Sequence, residues 1–432
     1  MKILQPPLRH HKIILDNGLR VITVEMLHLH SLEISMYIKV GSRFETAHNN
    51  GISHFLEHML FRGPKGMFDS YHLHRQFEAL GGDINAFTTN EYTCFWLTLH
   101  PQYLAKGMSL FSEIFLSPNF TDIEVEKQIV LEEILNEQNE KGEDINIDDL
   151  SSSMLWPGDS LGLPTLGSRE NLLRFTEYDA RSFFNTYYTA SNMVLCIAGR
   201  VKHNQVITYA QKFFTQLPKG QEMRISNHHA LQKEARTLFK RNPGSQATVQ
   251  ICFRTVSYHS PDYYLILLLR RILDDGNSSL LQWNIREKQG LVYDISAAVS
   301  SYYDTGTFDI DFSAAPQKIP LVVKQILFEI RKLTTAPVSR EEFHIAKRRY
   351  LMEFDFAMDS MGRMADRFGW SELFRKTESL EEERKIIEMV TREQIFDLCR
   401  RCFINSGLNI AVIGQYTKKE EIQIKKIAME FP

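Results

Sequence analysis

The chain has 432 residues, of which 43% are hydrophobic and 24% are charged. This length exceeds one ordinary core and predicts about two to three domains, and the composition is that of a globular protein without the signature of disorder. The formal charge of −3, from 50 basic and 53 acidic residues, produces no overall field, so nucleic acid and anionic membranes are not indicated as partners.

Membrane, export and disulfide signals are weak as well. No apolar run approaches the ~20 residues of a membrane span, and the first residues lack the apolar core of a secretory signal, so a cytoplasmic location is the default expectation. The five cysteines are sparse and odd in number, which argues against a disulfide framework. Cys399 and Cys402 are the only close pair, and their helical context predicts neither redox nor zinc use.

The first predicted elements are antiparallel strands. Asn17 and Gly18 lie between two apolar runs rich in β-branched residues, which is a strong hairpin signal, and a third run follows at 32–40. The next stretch, GISHFLEHMLF at 51–61, is predicted to be a helix with an apolar face. The strands therefore lead directly into a helix that carries unusual polar residues.

That helix carries His54 and His58 four residues apart, with Glu57 between them. Residues three and four apart share one helix face, so the three side chains can point into one site. Two neutral imidazoles can bind zinc, and the carboxylate can take a proton from water at the metal, as in the inverted H-x-x-E-H motif of zinc peptidases. The alternative is a buried helix with two hydrogen-bonded histidines, and five residues alone leave both interpretations open.

A second α/β stretch follows this helix. In chain order it is predicted to contain a helix at 70–80, a break at Gly81-Gly82, long strands at 84–99, a helix at 103–115 and an acidic helix at 122–140. Residues 151–170, with several Pro and Gly, are predicted to be a loop.

The acidic helix contains two carboxylates with a special spacing. Glu126 and Glu133 are seven residues apart, and Ile129 and Val130 lie between them, which places both acids on the apolar stripe. An ionised carboxylate directed into a core is costly unless it is paired or bound to metal. An acidic surface helix is the alternative, but the upstream histidine pair lacks a third protein ligand, and this favours the metal interpretation.

The second half repeats the first in outline after a predicted boundary at 217–220. The run GLNIAVIGQY at 407–416 mirrors NMVLCIAGRV at 192–201, and internal duplication is the simplest account. The first helix of the second half, YYLILLLRRIL, has no histidine, and the counterpart of Glu133 falls near Leu351 or Met352. We therefore predict an α+β fold with two homologous domains, each an antiparallel sheet packed with helices: a zinc-binding domain at 1–220 and a metal-free domain at 221–432.

Four stretches resemble the pitrilysin, insulin-degrading-enzyme and mitochondrial-processing-peptidase family of inverted-motif zinc peptidases. They are HFLEHMLF at 54–61, GGDINAFTTNEYT at 81–93, EKQIVLEE at 126–133 and REKQGLVY at 286–293. The similarity covers nearly the full chain, keeps the order and spacing of the motifs, and is greatest to the short bacterial and mitochondrial-processing branch.

The resemblance implies roles for individual residues. His54, His58 and Glu133 would bind Zn²⁺, Glu57 would be the general base, and Glu126 would orient the site from behind the ligands. By the same resemblance, Asn85, Ala86 and Phe87 match a strand whose exposed edge pairs with the substrate backbone. Arg286 and Tyr293 match a pair that contacts the substrate near the scissile bond and can stabilise the oxyanion. The implied function is a zinc metalloendopeptidase acting on unfolded peptides or small precursor peptides.

The family also implies a partner. Arg286 and Tyr293 would act on the zinc of another subunit, so that two chains enclose a chamber. Both the zinc motif and the Arg/Tyr pair are present in this one sequence, which favours a homodimer, while a heterodimer with a degenerate paralogue stays open. The alternative function is a non-catalytic assembly subunit, although such relatives lose the histidines or glutamates that are kept here.

Overall fold

The computed structural model describes residues 9–66, 69–226, 231–376 and 378–432. In chain order its strands are β1 (Arg9–Ile14), β2 (Arg20–Glu25), β3 (Leu32–Ile38), β4 (Asp83–Thr88), β5 (Thr93–Leu99), β6 (Met193–Gly199), β7 (Arg236–Arg241), β8 (Ala247–Thr255), β9 (Ile295–Ser301), β10 (Gly306–Ala314) and β11 (Leu408–Gly414).

The α-helices outnumber the strands, and a π-helical turn at Gln282–Glu287 adds to them. In chain order the α-helices are α1 (Ile52–Leu60), α2 (Ser70–Glu78), α3 (Leu104–Leu116), α4 (Ile123–Asn136), α5 (Ile147–Leu155), α6 (Arg169–Arg174), α7 (Glu177–Tyr187), α8 (His203–Phe214), α9 (Tyr263–Leu273), α10 (Ile319–Thr335), α11 (Arg340–Ala357), α12 (Met361–Leu373), α13 (Leu380–Met389), α14 (Arg392–Cys402) and α15 (Lys418–Glu430).

The chain divides into two compact units, each made of three segments. Unit 1 consists of Met1–Ile134, Leu163–Ile225 and Asp355–Thr377, and unit 2 consists of Leu135–Gly162, Ser226–Phe354 and Glu378–Pro432. The domains predicted from the sequence, 1–220 and 221–432, are contiguous, whereas each of these units includes a segment from the opposite half of the chain.

Each unit contains one sheet. In unit 1 the strand order is β1-β2-β6-β3-β5-β4, and in unit 2 it is β7-β11-β8-β10-β9. The predicted α+β class is confirmed, with one addition: the pairs β2–β6 and β7–β11 are parallel, while the other neighbours are antiparallel. Parallel pairs arise because β6 and β11 enter the sheet after long helical connections rather than hairpins.

The two sheets have the same topology apart from β1. The order β2-β6-β3-β5-β4 matches β7-β11-β8-β10-β9 strand for strand, including the position of the parallel pair. The predicted match between Gly199 and Gly414 also holds in conformation, because both end a buried central strand with a positive φ, of 123° and 143°. The duplication inferred from one repeated run therefore extends over both sheets.

Two helices explain why the units are discontinuous. Helix α12, from the second half of the chain, packs against β3 and β6 of unit 1, and α5, from the first half, packs against β8 and β11 of unit 2. Central strands β6 and β11 are buried along their whole lengths, so both faces of each sheet need cover. The duplicated halves have exchanged these covering helices.

Helix α5 also corrects the beginning of the loop predicted at 151–170, because residues 151–155 are helical. Asn146 accepts hydrogen bonds from the backbone of Asp148 and Asp149 and so begins the helix, and Leu150, Met154 and other apolar residues are buried. The serine-rich middle of this helix hides its apolar period. In the described part of the chain, no helix is both long and apolar enough to cross a membrane.

Candidate metal centre

The helix α1 begins at a tightly packed point of unit 1. Gly51, the residue before the helix, has a φ of 96°, and a Cβ there would lie 2.7 Å from the carbonyl oxygen of Leu166. The buried carboxylate of Glu45 accepts hydrogen bonds from the backbone N–H groups of Gly51 at 2.8 Å and Ser53 at 2.7 Å. A glycine and a buried acid therefore fix where the helix starts.

The structure brings His54 and His58 on α1 together with Glu133 on α4. Each histidine Nε2 lies 3.5 Å from a different carboxylate oxygen of Glu133. The candidate ligand atoms of the three residues all lie within 4.8 Å of one another, and no other group of three His, Cys, Asp or Glu side chains among the described residues does so. The fold thus brings together two predicted ligands that are four residues apart and a third that lies 75 residues later in the sequence.

This donor set fits zinc. A tetrahedral zinc ion with bonds of about 2.0 to 2.1 Å holds its ligand atoms roughly 3.3 Å apart, close to the separations between Glu133 and the two histidines. The His54 and His58 side chains are only 12% and 18% exposed, whereas that of Glu133 is 41% exposed. Three protein donors with one accessible side leave a fourth position for water, as a catalytic zinc site requires.

Electrostatics within the cluster act in opposite directions on the two histidines. Burial, and then the neighbouring His58, lower the pKa of His54 to about 4, so this imidazole is neutral at neutral pH. Burial alone would lower the pKa of His58, but its hydrogen bond to Glu133 and the nearby acids outweigh burial and raise it. The same hydrogen bond lowers the pKa of Glu133 despite partial burial, so Glu133 carries negative charge toward the imidazoles.

Glu57 lies on the same helix with 7% of its surface exposed. Burial raises the pKa of its carboxyl group, and the hydrogen bond from Thr88 opposes this shift. The Thr88 hydroxyl donates to Glu57 Oε2 at 2.5 Å, which fixes one carboxylate oxygen and leaves Oε1 for another partner. Sequence reasoning missed Thr88, although it directly follows Phe87 in the motif GGDINAFTTNEYT.

Glu126 and Glu133 have different surroundings, and one part of the predicted stripe is wrong. Val130 is buried, but Ile129 is 44% exposed, because the border of the buried face passes between them. Glu126 is 6% exposed and pairs with Arg62 at 3.3 Å. The helix therefore offers one acid to the histidines and keeps the other as a buried ion pair behind them, with Arg62 as a partner that the sequence did not reveal.

The strand β4 is one of the two edge strands of the sheet in unit 1, at the end opposite β1. It contains Asn85, Ala86 and Phe87 and ends at Thr88, which binds Glu57. Thr89 N donates to Tyr92 O across the hairpin to β5, so strand alternation directs the backbone of Ala86 away from β5. Within the described residues, no group outside this ladder binds the backbone of 84–87.

Arg286 and Tyr293 lie in unit 2, near each other. Arg286 is in the π-helical turn, its Nε donates to the backbone oxygen of Tyr293 at 2.8 Å, and its guanidinium pairs with Glu287 at 3.1 Å. Tyr293 precedes β9, which begins only at Ile295, and its side chain is 84% exposed. Tyr293 therefore projects from the irregular segment that precedes the strand.

Comparison with known proteins identifies the family of this chain. Residues 20–169 match the family model for insulinase (peptidase family M16), and residues 174–350 match the model for the peptidase M16 inactive domain. A Rickettsia felis protein described as an uncharacterized zinc protease is 31% identical over 408 residues, which cover 93% of this chain and 96% of that protein. A Bacillus subtilis protein, the uncharacterized zinc protease YmxG, is 27% identical over 90% of this chain and 94% of its own length.

Solved structures give the same result for the fold. A protease from Helicobacter pylori superposes with a TM-score of 0.88 at 20% identity and covers 94% of this chain and 100% of its own. A structure from Pseudomonas fluorescens described as a peptidase M16 inactive domain superposes with a TM-score of 0.87 at 19% identity, over 95% and 98% of the two chains. A duplicated α+β fold with an inverted zinc motif in one unit defines the class, and the chain belongs to peptidase family M16.

Proposed function

We propose that the chain is a zinc metalloendopeptidase that hydrolyses peptide bonds in unfolded peptides or small precursor peptides. The observation that carries this proposal is the convergence of His54, His58 and Glu133 next to the buried carboxylate of Glu57. Relatives described as zinc proteases support the same reaction class. A non-catalytic assembly subunit would have no use for a complete donor set with an adjacent base.

The chemistry divides between the metal and the chain. His54, His58 and Glu133 would hold Zn²⁺, and zinc bound there supplies a Lewis acid that lowers the pKa of water toward ~7. Glu57 accepts the proton from the attacking water and later delivers it to the leaving amine. Thr88 keeps Oε2 of Glu57 occupied, so proton transfer falls to Oε1.

Glu126 supports the ligands from behind. It is buried and paired with Arg62, and its negative charge favours the positive form of His58. Partners of this kind orient ligands and tune their basicity, and their loss commonly weakens metal binding 10- to 100-fold. We therefore assign Glu126 and Arg62 to the positioning of the site rather than to contact with the substrate.

Substrate selection follows from the edge of β4. The open backbone at Ala86 can pair with an extended peptide, while Asn85 and Phe87 flank it on the same strand. Backbone pairing needs an unfolded segment and reads little sequence, which is why the proposal names unfolded peptides and small precursors. The exposed Tyr293 and the adjacent Arg286 are proposed to contact the substrate near the scissile bond and to stabilise the oxyanion.

We further propose that two chains enclose the reaction in a dimeric chamber, with Arg286 and Tyr293 serving the zinc of the partner. A homodimer accounts for the presence of both residue sets in one chain, and a heterodimer with a degenerate paralogue is the alternative. A cytoplasmic location is part of the same proposal.

Replacing Glu57 with Gln tests the reaction directly. Gln cannot accept a proton, so the zinc-loaded variant is expected to keep its metal and to lose more than about a hundredfold in peptide hydrolysis. The measurements are zinc content after dialysis and cleavage of a mixed peptide library followed by mass spectrometry. Cleavage at the parental rate by the variant would contradict the assignment of the base.

A further inference from the structure

The edges of the two sheets can be compared residue by residue. Gly199 and Gly414 are taken as equivalent positions. Because β2-β6-β3-β5-β4 and β7-β11-β8-β10-β9 have the same order, the residue pairing between neighbouring strands then gives equivalent positions on each further strand. The matched positions, moving outward from the central strands, are Leu195 and Ile410, Met36 and Ile251, Phe95 and Ile310, and finally Ala86 and Ala297. Ala297 on β9 is thus the counterpart of Ala86 on β4.

The outward backbone of Ala297 is already occupied. Its N–H donates to Asp274 Oδ2 at 2.8 Å, and its carbonyl oxygen accepts from Arg270 Nε at 2.9 Å. Gln282 extends the same arrangement, because its Nε2 donates both to the carbonyl oxygen of Ile295 and to Asp274 Oδ1. Three side chains therefore occupy the positions at which a neighbouring strand would bind.

Two of these three side chains come from the place in unit 2 that corresponds to helix α1. Arg270 lies on α9, which leads from β8 toward β9 as α1 leads from β3 toward β4, and Asp274 follows α9 directly. In unit 1, Glu57 on α1 accepts a hydrogen bond from Thr88 at the end of the edge strand, and the backbone of 84–87 stays open. In unit 2 the side chains from the end of the helix bind the edge strand itself.

We propose that Arg270, Asp274 and Gln282 are specificity-determining residues that close the β9 edge to extended peptides, so that of the two matched edges only β4 accepts an added strand. This rests on the proposed function, in which a peptide pairs with the β4 edge. Exposed edges bind other strands readily, and β9 carries small side chains that would not obstruct one. A peptide held on β9 would occupy the unit in which the metal motif is missing, and its binding would be unproductive.

Residue-resolved hydrogen exchange of the full-length Glu57→Gln protein tests this closure. The probe is a short unstructured peptide of Ala, Leu, Ser and Lys, added in excess. Without peptide, we expect the Ala297 amide to exchange at least about tenfold more slowly than the Ala86 amide, since it donates to a buried carboxylate. Added peptide should slow exchange at Ala86 and leave Ala297 unchanged.

Asp274→Ala removes the acceptor and should raise exchange at Ala297 about tenfold, after which added peptide should slow it. Asp274→Asn keeps an acceptor oxygen and should retain the protection. Asp275→Ala is the matched control, because Asp275 is the next acid along the chain and pairs with Arg271 and Arg349 instead of the backbone of β9. If Asp274→Ala does not fold, Arg270→Met leaves the Ala297 amide bound and opens only its carbonyl, and peptide should then protect residues 295–299.

Two results would overturn the proposal. One is exchange at Ala297 as fast as at Ala86 in the Glu57→Gln protein, and the other is protection of both edges by the peptide in that protein without any further substitution. Failure of the proposed function gives a different pattern, in which zinc-loaded parental protein cleaves no peptide while the contrast between Ala86 and Ala297 persists. Cleavage together with peptide protection of both edges would reject the closure alone.

Discussion

Unit 1 and unit 2 share one sheet topology but use the helix beside the edge strand in different ways. In unit 1, α1 presents His54, Glu57 and His58, and Glu57 accepts a hydrogen bond from Thr88, the last residue of an open edge strand. In unit 2, Arg270 and Asp274 bind the backbone of the edge strand. Unit 2 therefore differs from unit 1 in two features. Its helix lacks the metal motif, and side chains from that helix and from the residue after it bind the backbone of the edge strand.

The largest expected effect is on zinc affinity, and it comes from replacing Glu133, an acid that has no counterpart in unit 2. Glu133→Gln takes away the charged donor that lies 3.5 Å from both histidines, so zinc affinity should fall by more than about a hundredfold. Zinc content after dialysis and competition with a chelator measure this. Glu132→Gln, an exposed neighbour on the same helix, is the control, and equal metal loss in both variants would reject the ligand role.

The contribution of unit 2 to the reaction is tested by Arg286→Ala and Tyr293→Phe. Each removes a donor proposed to stabilise the oxyanion, and turnover should fall by about 10² to 10³ with zinc content unchanged. Mixing either variant with a Glu57→Gln chain should restore part of the activity if sites form between subunits. No recovery on mixing, with dimers demonstrated, would argue against a site shared by two chains.

A smaller effect is expected at the contact between base and edge strand. Thr88→Val keeps the shape of the side chain but removes the donor to Glu57, so kcat should fall by about tenfold while KM and zinc content change little. Thr88→Ser keeps the hydroxyl and should recover most of the rate. A loss of the same size in both variants would point to packing instead of positioning.

The smallest effect is a difference in the pH dependence of stability, with none on activity expected. Register places Asp309 of unit 2 opposite Cys252, at the position that Cys94 occupies in unit 1. Burial raises the pKa of Asp309 to about 7, well above its unfolded value. The folded protein then holds a proton that the unfolded chain releases, so stability is fully present at low pH and falls as pH rises toward 7.

Asp309→Asn should remove that loss. We expect it to stabilise unit 2 by on the order of 1 to 3 kcal/mol at about pH 8 and to have little effect at about pH 4, near the unfolded pKa. Thermal unfolding at both pH values measures the difference. Cys94→Ser at the equivalent position of unit 1 is the control, and because a serine does not titrate, the pH dependence of stability should stay parental. An identical pH dependence of stability in the parental and Asp309→Asn proteins would contradict the prediction.

Local patterns predicted the elements that carry the site better than the contacts around it. The helix with His54 and His58, the strand with Ala86 and the run containing Gly199 lie where their periodicity and turn residues indicated. These signals are local, because they depend on the side-chain period of a single element. The ligand and substrate roles themselves stay predictions that rest on the resemblance to a family.

The sequence did not predict which residues contact each other over long distances along the chain. Nothing in the spacing of Thr88, Arg62 or Asp274 indicates that each meets a residue on another element, since such contacts exist only once the sheet and helices are packed. Ile129 was misplaced for a related reason, because a helix with acids on several sides does not reveal where its buried face ends. Discontinuous units are likewise a property of packing and not of local composition.

The exchanged helices also set an order for synthesis. Arg20, near the start of the chain, is 1% exposed and donates to the backbone oxygen of Glu372 at 2.7 Å, across a sequence separation of 352 residues. Arg20 also donates to the backbone oxygen of Ser191 at 3.5 Å, but its shorter contact with Glu372 cannot form until α12 has left the ribosome. Helix α5, by contrast, is made before the sheet that it covers. The unit that is begun first is thus completed almost last, so the nascent chain carries the sheet of unit 1 without one of its covering helices for most of its synthesis.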